Sequence, residues 1–136
     1  MVMPIRNEAD HLEIAIDSVR RQAYPGRVRI VLGVGPSTDG TEALADSIAA
    51  QSDDLTVVAN PSGKTPSALN AAIRAGKAPV IVRVDGHSEL SAGYLRRAVE
   101  ILRETGAAND ERTRPTVGCD RRPARSPVPR MTGWPR

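Results

Sequence analysis

Short apolar runs alternate with stretches of helical periodicity along the first hundred residues, and most of the runs end in a polar motif. Val2 to Ile5 is the first such run, closed by Asn7-Glu8. Leu12, Ala15, Ile16, Val19 and Ala23 then recur at helical spacing, with charges between them, until Tyr24-Pro25-Gly26. Val28 to Val34 is continuous enough in apolar character for a strand buried on both faces. Ser37-Thr38-Asp39-Gly40 follows as a turn. Asp39 with Glu42 has the spacing of a capping box, ahead of a helix with the inner stripe Leu44, Ala45, Ile48 and Ala49.

The second half repeats the scheme. Leu55 to Ala59 is a third strand, and Asn60 to Lys64 is its loop. Thr65-Pro66 has the form of an N-cap followed by proline at the first helical position, with Gly76 as the stop. Pro79 to Val84 is the most strand-like run of all. Ser91 can cap a last helix with inner face Leu95, Ala98, Val99 and Leu102, stopped by Gly106. About four strands alternating with four helices predict an α/β fold with an open, mostly parallel, doubly wound sheet.

This pattern defines an expected domain over residues 1–109. Asp110 to Arg136 holds five prolines and seven arginines without periodicity, so it is expected to be a disordered tail. Reading a GC-rich gene in a shifted frame yields such Arg-, Pro-, Gly- and Ala-rich sequence, so a frameshift or premature end is the expected origin. A genuine basic tail is the alternative. The tail also explains the net charge of +3. Its seven arginines against Asp110, Glu111 and Asp120 give +4, which leaves 12 basic and 13 acidic residues, or −1, in residues 1–109. With a near-neutral domain and only Tyr24, Tyr94 and Trp134 as aromatics, nucleic-acid binding has no support. The single Cys119 suits a reducing compartment. No apolar run reaches the roughly 18 to 20 residues that span a bilayer, so the expected location is cytoplasmic. Any attachment to the inner face of the membrane would come from a C-terminal part beyond this chain.

Two phosphate-binding patterns fail on inspection. Gly33-Val34-Gly35 follows a strand, as a dinucleotide fingerprint should, but Thr38 replaces the third glycine and Pro36 intrudes. That reading also needs an acidic residue at the end of the next strand, near Asn60. Ser62-Gly63-Lys64-Thr65 imitates the end of a Walker A loop, but Val58 stands where its first glycine belongs.

Four other motifs all fall at the carboxyl ends of the expected parallel strands, where open α/β sheets bind ligands. They are Pro4-Ile5-Arg6-Asn7-Glu8, Pro36-Ser37-Thr38-Asp39-Gly40-Thr41, the Asn60 to Asn70 segment with Gly63, Lys64, Ala68 and Leu69, and Asp85-Gly86-His87. Their order and spacing over about residues 1–106 resemble the family-2 glycosyltransferases of the GT-A fold. In that family Pro-x-x-Asn-Glu, Ser-Thr-Asp-Gly-Thr, Ala-Leu-Asn and an Asp-x-Asp-type motif recur.

The resemblance implies inverting transfer of a sugar from a nucleotide-diphosphate sugar to an acceptor hydroxyl, in polysaccharide or glycolipid synthesis. The implied partners are a nucleotide-sugar donor and a saccharide or lipid-linked acceptor. The donor would meet Pro4, Arg6, Asn7 and Glu8 after the first strand, Ser37 and Asp39 after the second, Lys64 after the third, and Arg83 and Asp85 on the fourth. Asp85 and His87, an Asp-x-His variant of the acidic motif, would hold a divalent cation. Imidazole suits Mn²⁺ better than Mg²⁺.

Each residue also has a plainer role open to it. Asp85-Gly86 can be a turn, Asn7-Glu8 a helix start, Asp39 a cap and Lys64 an exposed loop lysine. Arg83 can pair with phosphate or with Asp85, and His11 reads as a surface histidine. The family often carries an acidic reader of uracil before the serine of the second motif; Val34, Gly35 and Pro36 occupy that stretch here, which leaves the base open. No catalytic base is identified, since Asp110, Glu111 and Asp120 lack the family's downstream Glu-Asp context. The chain alone is therefore expected to bind donor weakly and transfer little. The other expectation is a non-catalytic nucleotide-binding fragment or degraded gene product.

Overall fold

Leu32 explains the architecture best, because its side chain is fully buried between layers that its backbone cannot provide alone. In the computed structural model, which describes residues 1–106, it sits midway along β2 (Ile30–Val34). β2 pairs in parallel with β1 (Val2–Ile5) on one side and β3 (Leu55–Ala59) on the other, giving the order β1-β2-β3. A strand paired on both edges and covered on both faces has no exposed position, and all five residues of β2 are buried.

Three connecting helices cover the faces. α1 (Ala9–Arg20) and α2 (Thr41–Ala50) join successive strands, and α3 (Thr65–Ala75) follows β3. Strand side chains alternate between faces. Met3, Ile5, Ile30, Leu32 and Val34 therefore meet Leu12, Ala15, Ile16, Val19 and Ala45 of α1 and α2 in the main core. Val2 and Val31 point the other way, onto Ala72 of α3. α3 lies so close to the sheet that a Cβ on Gly33 would be 2.6 Å from the Ala68 carbonyl oxygen. Gly33 thus serves backbone packing.

The expected doubly wound, parallel α/β sheet is present, with four helices. The fourth strand is the exception. The 79–84 run makes a single parallel bridge, Val2 to Arg83. Its backbone contacts are Val2 N–H to the Val82 carbonyl (2.8 Å) and Val84 N–H to the Val2 carbonyl (3.0 Å). In β1, residues 1, 3 and 5 bond toward β2, so residues 2 and 4 face the 79–84 run. Residue 4 is Pro4, which has no N–H to donate, and the ladder stops there. The strand-like run satisfies its own pattern but lacks a partner residue.

Helix starts also shift slightly. Thr65 is the first residue of α3 and Lys64 precedes it as N-cap, where the sequence suggested Thr65 as the cap. Gly40, with φ +88°, is the N-cap of α2. The Glu42 carboxylate reaches back to the Ser37 N–H at 2.8 Å, two residues beyond the expected capping-box partner Asp39. α4 (Tyr94–Thr105) starts after Gly93, not Ser91, whose carbonyl accepts from Tyr94 N–H. Its inner face is Leu95, Ala98 and Val99, as expected, with Leu102 only half-buried. Among the described residues no helix is long and apolar enough to cross a membrane. The tail expected from Asp110 onward, with Cys119 and Trp134, lies outside the described residues.

Candidate functional site

At the carboxyl ends of the strands the chain must turn three times within a small space, and the turn chemistry sorts the motif residues into two groups. The first group is a hydrogen-bonded brace between the β1–α1 and β2–α2 turns. Asn7 takes a left-handed conformation, φ +53°, which asparagine tolerates better than most residues. Its N–H donates to Ser37 Oγ (3.1 Å), and its side-chain oxygen accepts from Thr38 N–H (2.9 Å). The Glu8 N–H donates to Thr41 Oγ1 at 2.9 Å, and the Ala9 N–H to Asp39 Oδ2 at 3.0 Å. Asp39 Oδ1 accepts from both the N–H and the hydroxyl of Thr41. Those bonds, the Thr41 hydroxyl first, hold the Asp39 carboxyl below its ordinary pKa. Asp39 thus caps two helix starts at once.

The second group lines a cleft of about 190 Å³, with Pro4, Arg6 and Glu8 from the end of β1, Asn60, Gly63 and Thr65 after β3, and Arg83, Asp85, Gly86 and His87 opposite. Asn60 is buried, and its side chain closes the β3–α3 turn by donating to the Lys64 carbonyl (3.2 Å) and accepting from Ser62 Oγ (2.9 Å). Gly63, at φ +64°, lets that turn pass under the Arg6 guanidinium. Arg6 itself donates to the Pro36 carbonyl at 3.3 Å. Gly86 has a comparable role: a Cβ there would stand 2.8 Å from Ile5 Cδ1 and 2.9 Å from Glu8 Cγ. A side chain at 86 would have to push Glu8 aside for the 85–87 segment to lie across it.

An ion pair and a histidine–carboxylate contact face this cleft. Arg83 donates from Nε and Nη2 to Asp85 Oδ1, both at 2.9 Å. His87 Nδ1 lies 2.9 Å from Glu8 Oε1. The Glu8 hydrogen bond, helped by the negative charges of Glu8 and Asp85, raises the His87 pKa above its ordinary value. If Nδ1 is the atom held by Glu8, the other ring nitrogen is left for a ligand. A carboxylate behind an imidazole is the usual support of a metal-binding histidine. Arg83 likewise occupies one carboxylate oxygen of Asp85.

Of the residues expected to bind the donor, Pro4, Arg6, Glu8, Arg83 and Asp85 come together in the cleft, with His87 beside them. Asn7, Ser37 and Asp39 stand in the brace behind it, and Lys64 lies at the start of α3 outside the lining. Asn60, Gly63 and Thr65, which the sequence places in the motif after β3 without naming them as donor contacts, also line the cleft. The glycine in the loop after β3 was the available signal. Among the described residues no group of three or more His, Cys, Asp or Glu is arranged to hold a metal by itself.

Comparison with known proteins places the chain in a family. The sequence model described as Glycosyl transferase family 2 matches residues 1–133, running past the domain boundary expected at residue 109. The chain is 32% identical over 120 residues to the succinoglycan biosynthesis protein ExoA of Rhizobium meliloti (strain 1021), covering 87% of this chain and 36% of that protein. It is 24% identical over 124 residues to the glycosyltransferase AglE of Haloferax volcanii, with 87% and 41% covered. The chain thus spans less than half the length of these relatives. Among solved structures, S. aureus TarS superposes with a TM-score of 0.65 at 19% identity, over 77% of this chain and 19% of that one. TarS 1–349 in complex with UDP gives 0.65 at 20% identity, over 76% and 31%. At that identity the structures show a shared fold alone, whereas the family match extends over nearly the whole sequence. The chain belongs to glycosyl transferase family 2.

Proposed function

We propose that this chain is the donor-binding part of an enzyme that transfers a sugar, with inversion, from a nucleotide-diphosphate sugar to an acceptor hydroxyl in polysaccharide or glycolipid synthesis. The observation that carries the proposal is the convergence of Glu8, Arg83, Asp85 and His87 on one cleft at the carboxyl ends of parallel strands. The family membership supports it, as do the biosynthetic role named for ExoA and the UDP bound to the TarS fragment.

In this reading the diphosphate enters between the 83–87 segment and the turn after β3. Asp85 and His87 would hold Mn²⁺ or Mg²⁺, which neutralises charge on the departing diphosphate. The donor set fits this role in part. Asp85 offers an oxygen not taken by Arg83, His87 offers its second ring nitrogen, and Glu8 fixes the ring. Two protein ligands leave the remaining positions to phosphate oxygen and water, as is usual for Mg²⁺ at nucleotide sites. Arg83 can leave Asp85 for the phosphate at little structural cost, because its own side chain is 47% exposed. Lys64, at the start of α3, supplies a second cation within the same loop.

The test is calorimetry of this chain with a panel of nucleoside diphosphates, with and without Mn²⁺. Binding is expected to require the cation and to weaken about 10- to 100-fold in Asp85→Asn. Equal affinity in all three conditions would overturn the metal assignment, and no binding of any diphosphate would overturn the donor site.

A further inference from the structure

The opposite pole of the sheet carries a second cavity that the donor reading does not use. It measures about 520 Å³ and opens between the amino ends of β1 and β2, the last turn of α3 and residues 77–81. Its lining is mostly apolar. Ile73, Val80 and Ile81, three of the four large hydrophobic side chains exposed among the described residues, converge on it. Arg27, Arg29 and Lys77 also line it, and it contains no carboxylate. Among the described residues none of these three cations has an ion-pair partner.

Apolar side chains gathered at the surface mark a site where something docks, and the charges restrict what that can be. A second copy docking through a two-fold axis would set each cationic rim against itself. The chain's own 110–136 segment carries seven arginines against three carboxylates, so it has the wrong charge as well. The complementary occupant is apolar and anionic together. We propose that this groove docks the protein onto an anionic lipid surface. Acyl chains would meet Ile73, Val80 and Ile81, and headgroup phosphates would meet Arg27, Arg29 and Lys77. Apolar insertion and a basic cluster are the two signals that together give stable peripheral binding. Because the groove lies at the amino ends of the strands, docking leaves the cleft at Asp85 open to solution.

The experiment is sedimentation of the full chain with vesicles of phosphatidylcholine containing roughly 30% phosphatidylglycerol, against phosphatidylcholine alone. Each surface cation contributes about fivefold to partitioning on an anionic leaflet. Neutralising all three (Arg27→Gln, Arg29→Gln, Lys77→Gln) is therefore expected to lower partitioning about 100-fold. Ile81→Asp and, separately, Ile73→Asp should each lower it roughly tenfold, beyond the fivefold expected from one charge alone. These positions are exposed, so far-ultraviolet dichroism should be unchanged. Asp85→Asn should leave partitioning unaffected, which separates this outcome from failure of the donor site. A control neutralises Arg112, Arg114 and Arg121 instead. Equal losses for the control and groove triples, or full binding by both isoleucine variants, would show diffuse attraction by the tail and overturn the proposal.

Discussion

The two walls of the candidate site are built from equally polar motifs but satisfy their polar groups differently. In the brace, Asn7, Ser37, Thr38, Asp39 and Thr41 bond one another, with backbone N–H groups as most of the donors. In the facing wall, Arg83–Asp85 and His87–Glu8 are side-chain pairs whose nitrogen-bearing members face solvent, 47% of Arg83 and 63% of His87 being exposed, over the less exposed carboxylates of Asp85 (33%) and Glu8 (18%). Groups that satisfy helix ends cannot leave without cost. Surface ion pairs exchange partners at almost none. A motif of polar residues at strand ends therefore mixes residues that shape a site with residues free to meet a ligand.

Asp85→Asn should expose this difference most strongly. A contact to a charged group contributes about 1.5–3 kcal/mol, so cation-dependent diphosphate affinity should fall about 10- to 100-fold in calorimetry, with the urea midpoint unchanged. Thr41→Val should do the reverse. Thr41 is fully buried, and its hydroxyl serves both Glu8 N–H and Asp39. Losing it should cost about 1–3 kcal/mol in urea unfolding, with diphosphate affinity changing less than stability. If Asp85→Asn destabilises as much as Thr41→Val, the division between the walls fails.

Asp39 offers a weaker test of the same division. Its folded pKa is depressed, so its stabilising effect is present above the ordinary carboxylate range and is lost as pH falls through the lower folded value. The melting temperature of the native chain should thus fall on acidification more steeply than that of Asp39→Asn. Parallel acid limbs would remove Asp39 from the brace.

Much of this was legible in the sequence, for identifiable reasons. β2 and its neighbours follow from apolar continuity, and the helices from their stripes, because burial enforces both patterns. The 79–84 run shows where that logic fails. Its own residues are strand-like, yet its pairing is limited by Pro4, eighty residues earlier. Gly33 stands where a phosphate-binding glycine would in a fingerprint the sequence does not complete, and the contact that explains it, with the Ala68 carbonyl, comes from a helix thirty-five residues later. Asp39 and Ser37 are ligand residues by motif and bracing residues by contact, and only the partner atoms separate the two. Asn60 and Gly63 belong to a motif visible in the sequence, but turn residues after a strand look alike whether or not a cleft lies above them, so neither could be singled out as lining.

The smallest effect expected is that of the Glu8–His87 pair on stability, and it carries a definite sign. Glu8 raises the folded pKa of His87 above its ordinary 6.5. A raised pKa means that the folded state holds the proton more tightly than the unfolded chain. The pair's contribution is therefore complete below about pH 6.5 and disappears as pH rises through the higher folded value. Because the imidazole is 63% exposed, screening limits that contribution to less than about 1 kcal/mol. Glu8→Gln keeps the shape of the partner and removes its charge. Measured by nuclear magnetic resonance without divalent cations, the His87 titration should move downward in that variant. The extra stability of the native chain at acid pH over neutral pH should shrink with it. An unchanged His87 titration in Glu8→Gln would mean that Glu8 does not hold the ring, and the support for His87 as an oriented cation ligand would go with it.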